Sequence, residues 1–240
     1  MSTNVKPDEL NYDHYEMEKY DKDIIGSIPG HEEMHRKIEE ISERDFKHRS
    51  IRVLELGIGT GLTAIRILRD TNCLRYVGVD FSEKMLQGAK RKLRGYNVKY
   101  ILGDFSKVRL PRNNDLVVSV IGIHHQETDQ DKKAVFRRVF DSLSRGGAFI
   151  FGDLVTWRDK NVAALNDAGH YHHLVEESSD EVTLREWAYH HKVLNKLAPL
   201  EDQVEWLREV GFYQVDVIYT KFNTALIYAR KNEPLKINSQ

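Results

Sequence analysis

Val53-Leu54-Glu55-Leu56-Gly57-Ile58-Gly59-Thr60-Gly61 is a short apolar run that breaks into three alternating glycines. Behind it, Leu62, Ile65 and Leu68 recur at helical spacing, so the order reads buried strand, glycine turn, helix. That order brings backbone against a nucleotide-like ligand at the carboxyl end of a strand in α/β folds. The glycines allow close approach because no Cβ stands in the way. A dinucleotide fingerprint would place its third glycine at position 62, where Leu62 sits, and this counts against a nicotinamide dehydrogenase.

The following residues repeat the pattern. Leu74–Val79 is a second apolar run ending in Asp80, and Ser82 is placed to cap a helix carrying Met85, Leu86, Ala89 and Leu93. An acidic residue about 20 positions beyond the glycines is suited to accept hydrogen bonds from ribose hydroxyls. A third run, Val98–Leu102, leads into Gly103-Asp104-Phe105. A fourth, Leu116–Ile121, follows Asp115 and leads into Gly122-Ile123-His124-His125. Each strand end thus delivers glycine or polar residues to one rim of the sheet, where open α/β sheets bind ligands.

Composition sets the outer bounds. At 240 residues, one α/β domain with elaborations is the natural size. The net charge of -1 advertises neither nucleic acid nor an anionic membrane as partner. The cluster Lys90-Arg91-Lys92 with Arg94 reads as the solvated side of a helix. One cysteine, Cys73, excludes an internal disulfide and suits a reducing compartment. The absence of an 18-residue apolar span or a leader-like start leads to the expectation of a cytoplasmic protein with no membrane partner.

The organisation reads in four parts. Residues 1–48 form an N-terminal helical arm, with the turn Ser27-Ile28-Pro29-Gly30 ahead of a helix over His31–Phe46 that turns Met34, Ile38 and Ile41 inward. The core spans 49–154 and resumes over 199–233. Residues 155–198 form a helical insertion with an acidic loop at Glu176–Asp180, and 234–240 form a polar tail.

Four segments in order, Glu55-Leu-Gly-Ile-Gly-Thr-Gly61, Val79-Asp80-Phe81-Ser82, Gly103-Asp104-Phe105 and Asp115 through His125, resemble the class I S-adenosylmethionine-dependent methyltransferases. Trp206-Leu-Arg-Glu-Val-Gly-Phe212 and the two apolar runs after it are similar to that family's last helix and closing hairpin. The resemblance implies a Rossmann-like α/β fold: a mostly parallel seven-stranded sheet with a C-terminal antiparallel hairpin and helices on both faces. It implies S-adenosylmethionine as cofactor and S-adenosylhomocysteine as product.

By the same resemblance, Gly57, Gly59 and Gly61 lie along the methionine moiety with Glu55 near its amino group. Asp80 holds the ribose, and Phe81 and Met85 flank the adenine. Asp104 accepts from the adenine amine, Phe105 offers its backbone amide, and Ile121 touches the cofactor near the sulfonium.

Arm and insertion would then roof the substrate. Tyr12 and Tyr20 in the arm, His125 and Asp153 at strand ends, and His170, His173 and Arg185 in the insertion are the candidate substrate-lining residues. His124 is the candidate catalytic base, since imidazole titrates near neutrality. Five of the 11 histidines (His170, His172, His173, His190 and His191) fall in the insertion. They read as packed surface residues, as substrate contacts or as metal ligands. No metal is expected, because adjacent helical residues point about 100° apart and no i, i+4 pair occurs among them.

Ile121-Gly-Ile-His124 stands where base-methylating relatives carry an Asn/Asp-Pro-Pro-aromatic signature. The expected acceptor is therefore a small molecule, attacked in line through O, N or S, with nucleic acid disfavoured and a homodimer left open. Two alternatives stand beside this. Asp23-Ile-Ile-Gly-Ser-Ile-Pro-Gly30 and the stretch Val210–Asn223 are similar to carboxy-S-adenosylmethionine synthases, whose middle region the insertion does not match. The other is a catalytically silent S-adenosylmethionine-binding protein.

Overall fold

The strands that form the centre of the molecule are apolar on both faces, which suits a parallel sheet covered by helices on each side. In the computed structural model, which describes residues 17–232, the elements run α1 (Met17–Ser27), α2 (His31–Phe46), β1 (Ser50–Leu56), α3 (Leu62–Asp70), β2 (Asn72–Asp80), α4 (Glu83–Lys92), β3 (Val98–Leu102) and β4 (Asn114–Val120). A 3-10 turn (Ile123–His125) follows, then α5 (Asp129–Ser142), β5 (Leu143–Leu154), α6 (Lys160–Glu177), α7 (Glu181–Tyr189), a π-helical turn (His190–Leu194), α8 (Leu200–Val210), β6 (Gln214–Lys221) and β7 (Thr224–Arg230).

The sheet has seven strands in the order β3-β2-β1-β4-β5-β7-β6. The first five are parallel, and β7 pairs antiparallel with both β5 and β6. Successive residues of a strand face opposite sides, so β1 feeds two cores. Leu54 and Leu56 join Val117, Phe149 and Phe136 under α5 and α8, while Ile51 and Val53 join Met34, Ile38 and Ile67 under α2 and α3. Strand order reverses between β1 and β4, and the crevice at such a switch point is where an open sheet takes its ligand.

The helix expected over His31–Phe46 has those bounds, and Ser82 caps α4 by accepting from Met85 N–H at 3.2 Å. Three local readings change. β4 ends at Val120, leaving Ile121 outside the strand. The acidic loop shrinks to Ser178-Ser179, because α6 runs through Glu177 and Asp180 caps α7 by accepting from Thr183 N–H at 2.8 Å. The arm also contains α1, which the turn and helix signals around it did not reveal. No described helix is long and apolar enough to cross a membrane. Tyr12 and the tail 234–240 lie outside the described residues.

Candidate active site

Gly57, Gly59 and Gly61 take φ of 72°, 54° and 86°, the left-handed region where a side chain is strained. Gly57 and Ile58 N–H both donate to Val79 carbonyl at 2.8 and 3.0 Å, stitching the turn to β2. Asp80 then fixes the turn from below. Its Oδ2 accepts from Gly59 N–H at 2.8 Å and its Oδ1 from Ser82 N–H at 3.0 Å. These two bonds orient the Asp80 carboxylate, which lines the cavity over the turn.

A cavity of about 420 Å³ opens over this turn and is lined by Gly57, Gly59, Asp80, Phe81, Met85 and Asp104, with Phe105 and Ile121 also on its wall. A Cβ placed on Gly59 would meet nothing within 4 Å, and one on Gly57 would meet only the Phe105 ring at 3.9 Å, so both would project into open cradle. Phe81 is 45% exposed on the wall while Met85 is buried beside it, giving a flat apolar face. An apolar wall, a bare glycine cradle and an oriented carboxylate fit an adenosyl group with its ribose hydroxyls.

Three expected cofactor residues do different work. Glu55 is buried in the sheet, accepting from Tyr76 OH at 2.6 Å, and is not among the lining residues. Burial, opposed by the Tyr76 bond and aided by nearby Asp80, pushes its carboxyl from the ordinary 4.5 to about 8. Gly61 caps α3 instead of facing the cavity, and a Cβ there would lie 3.1 Å from Leu93. Asp104 does line the cavity, but its Oδ1 takes Ser106 N–H and Oγ at 2.8 and 2.7 Å and its Oδ2 pairs with Lys107 at 3.1 Å. It is a turn former first.

The sequence reading missed His31 and His35, which line the cavity from α2. His35 bonds the His31 carbonyl through Nδ1 at 2.9 Å and Thr63 Oγ1 through Nε2 at 3.0 Å. Burial pushes His31 down to about 4 and His35 to about 3, so both are neutral near pH 7. Their signal was two polar residues on the apolar stripe of Met34, Ile38 and Ile41.

Beyond Ile121 lies a smaller chamber of about 80 Å³, and Ile121 lines both spaces. Its φ of 51° is a conformation that β-branched residues avoid. It is held there as its N–H donates to Gly152 carbonyl at 2.8 Å. Tyr20 and Ile24 of α1 also border both spaces, so one helix roofs the two.

His124 and His170 line this chamber, and His125 lines both spaces. Asp153 does not line it, contrary to expectation. Asp153 is 2% exposed, and its two oxygens take the His124 backbone N–H at 2.9 Å and the His124 Nδ1. A carboxylate only accepts, so this pairing puts the ring proton on Nδ1 and leaves Nε2 as the basic lone pair.

The remaining insertion residues divide. His173 bonds Gly26 carbonyl through Nε2 at 2.8 Å, tying α6 to α1. Arg185 points outward, pairing with Glu181 at 2.5 Å at 77% exposure, and neither residue lines either of these two spaces. His190 and His191 both reach the chamber although they are neighbours. The π turn explains this: Asn195 N–H donates to His190 carbonyl at 3.2 Å, an i→i+5 bond that widens the turn and reduces the angle between successive side chains.

A methyltransferase-domain family model matches residues 53–147. An uncharacterized methyltransferase of Bacillus cytotoxicus is 30% identical over 172 residues, covering 69% of this chain and 78% of that protein. A carboxy-S-adenosyl-L-methionine synthase of Nautilia profundicola is 23% identical over 192 residues, 78% and 80% of the two chains. The chain is similar in fold to N-methyltransferase NodS from Bradyrhizobium japonicum solved with S-adenosyl-l-homocysteine (TM-score 0.56, 15% identity, 85% and 89% coverage). It also shares the fold of the S-adenosylmethionine-dependent methyltransferase SibL (TM-score 0.54, 18% identity), where it covers 77% of its own length and about half, 51%, of that chain. With its seven-stranded sheet and the cradle at the switch point, the chain belongs to the S-adenosylmethionine-dependent methyltransferases. Its cofactor is S-adenosylmethionine.

Proposed function

We propose that this methyltransferase acts on a small-molecule acceptor held in the chamber beyond Ile121, with His124 as general base. The observation that carries the reading is the contact of two spaces at one strained residue: a cradle suited to an adenosyl group on one side, a buried His124–Asp153 pair on the other. When bound, S-adenosylmethionine supplies a methyl already activated on a sulfonium.

The chain's own work is then positioning. Asp80 and the glycine turn fix the cofactor's ribose side, and Ile121 marks the boundary across which the nucleophile approaches. Alignment and exclusion of water by α1, α6 and α7 supply most of the acceleration, on the order of several kcal/mol. His124 Nε2 takes the proton released by the acceptor, and Asp153 steadies the imidazolium through Nδ1. Asp153 is thus a positioning residue.

The carboxy-S-adenosylmethionine synthase reading rests on the Nautilia profundicola relative. A carboxylated co-substrate calls for a cation, and no Lys or Arg is found among the described residues lining the chamber. Methyl transfer is therefore favoured. The test is incubation with methyl-labelled S-adenosylmethionine and a metabolite extract. Labelled acceptor and S-adenosylhomocysteine are expected, with Asp153→Asn lowering kcat about 10- to 100-fold at little change in the cofactor's KM. A carboxylated cofactor found by mass spectrometry of the purified protein would overturn the assignment.

A further inference from the structure

Charge is unevenly spread along this chain. Residues 83–112 hold nine Lys or Arg against two acids, Glu83 and Asp104, while the whole chain holds 36 against 37. The fold gathers that stretch at β3, the edge strand of the sheet. α4 packs on one face of the sheet through Leu86 and Ala89, and residues 103–113 pass along the other through Val108 and Leu110. Lys90 Nζ lies 5.7 Å from the centre of the Tyr100 ring, tying α4 to β3. Arg75 of β2 donates to the Arg112 carbonyl at 3.2 Å, tying the loop to the same edge.

Lys90, Arg91 and Arg94 are exposed on the α4 side, Lys99 on the strand itself, and Arg109 and Arg112 on the loop. None of the six has an ion-pair partner among the described residues, whereas Lys92 beside them is held by Asp21 and Lys107 by Asp104. Elsewhere the chain sets exposed cations against acids: Arg36 against Glu33 and Glu40, Lys47 against Glu43, and Arg158 against Asp202 and Glu205. Like charges crowded at one edge repel, and a polyanion relieves that repulsion. Four of the six are Arg, whose planar fork matches the oxygens of a phosphate.

Shape selects among polyanions. The cations straddle the sheet edge, so a flat lipid surface meets only one set of them, while a flexible strand passes from Arg91 over Lys99 to Arg109. Tyr96, 39% exposed between Arg94 and β3, offers a ring on which a base stacks, a contact that an acidic peptide does not use. We propose that the β3 edge is a binding surface for a single-stranded nucleic acid, with its phosphates on Arg91, Arg94, Lys99 and Arg109 and a base on Tyr96. This surface is separate from the chamber beyond Ile121 and does not depend on what is methylated there.

The test is fluorescence anisotropy of a labelled, unstructured RNA of about 12 nucleotides titrated with the full chain. Binding is expected at about 50 mM salt, with log Kd rising against log salt at a slope of about 3–4, the value for four to six phosphate contacts on a single strand. Arg91→Gln and Arg109→Gln lie on opposite sides of the edge and are exposed, so folding is not at risk. Each is expected to weaken binding several-fold and lower the slope by about 0.7. Tyr96→Leu is expected to weaken it about fivefold or more with the slope unchanged. Lys47→Gln, at a paired cation on α2, is expected to change nothing, and unchanged melting temperatures confirm that the variants are folded. No binding at low salt, or binding indifferent to both Gln variants, overturns the proposal. So does competition by polyglutamate as strong as by unlabelled RNA, since the edge then takes an acidic protein segment.

Discussion

At position 80 one carboxylate holds Gly59 and Ser82 N–H and lines the cradle proposed for the cofactor's ribose. Asp80→Ala should therefore weaken S-adenosylmethionine binding by roughly 2–4 kcal/mol, about 30- to 1,000-fold, read by calorimetric titration. Asp80→Asn keeps an acceptor for one of the two backbone donors and should fall between. Glu55 has a different consequence, visible in stability. Folded, it keeps its proton up to about pH 8; unfolded, it releases it near 4.5. Between those values the folded state binds more protons, so this residue's contribution to stability falls as pH rises. Glu55→Gln still accepts from Tyr76 and carries no titrating proton. The variant should gain on the wild type by about 1–3 kcal/mol between pH 5 and 9 in denaturant titrations.

Among the elements, α1 is the one whose hold can be tuned without touching the sheet. Asp21 on α1 accepts from Thr60 Oγ1 in the glycine turn and pairs with Lys92 at the end of α4, while Lys92 also donates to Thr60 at 3.1 Å. The group is half-buried, so its worth is about 1 kcal/mol or less and falls with salt. Asp21→Ala should leave the melting temperature nearly unchanged and speed S-adenosylhomocysteine dissociation several-fold in stopped flow, an effect that added salt mimics in the wild type. The sheet's site-bearing ends were legible because strand, glycine turn and capped helix leave local signals at Gly57, Asp80 and Ser82. The His124–Asp153 pair was not, since it depends on β4 and β5 lying in register, Val120 opposite Gly152. The convergence of His190 and His191 was hidden for a related reason: no residue pattern in Trp187–Asn195 distinguishes an i→i+5 turn from an ordinary one. His31 and His35 were masked by the apolar stripe they share.

Over the whole molecule, burial of neutral histidines sets the acid limit. His31 and His190 are held to about 4, His35 to about 3 and His170 to about 2, against an ordinary 6.5. Below 6.5 the unfolded chain takes up protons that these folded residues refuse, so stability falls with pH, by up to about 1.4 kcal/mol per unit for each. Glu55 works in the opposite direction down to 4.5, but it is one group against four. The unfolding free energy from denaturant titrations should drop steeply between about pH 6 and 5, by roughly 2–4 kcal/mol per unit, and a pair such as His31→Asn with His35→Gln should flatten the slope. A second whole-molecule property follows from α1 bordering both spaces through Tyr20 and Ile24. Two rooms with a common door cannot be emptied separately: lifting the helix to exchange one occupant loosens the other. An acceptor that needs more than one methyl group would then be let go after each, and a time course would show the singly methylated species accumulate before any further product forms.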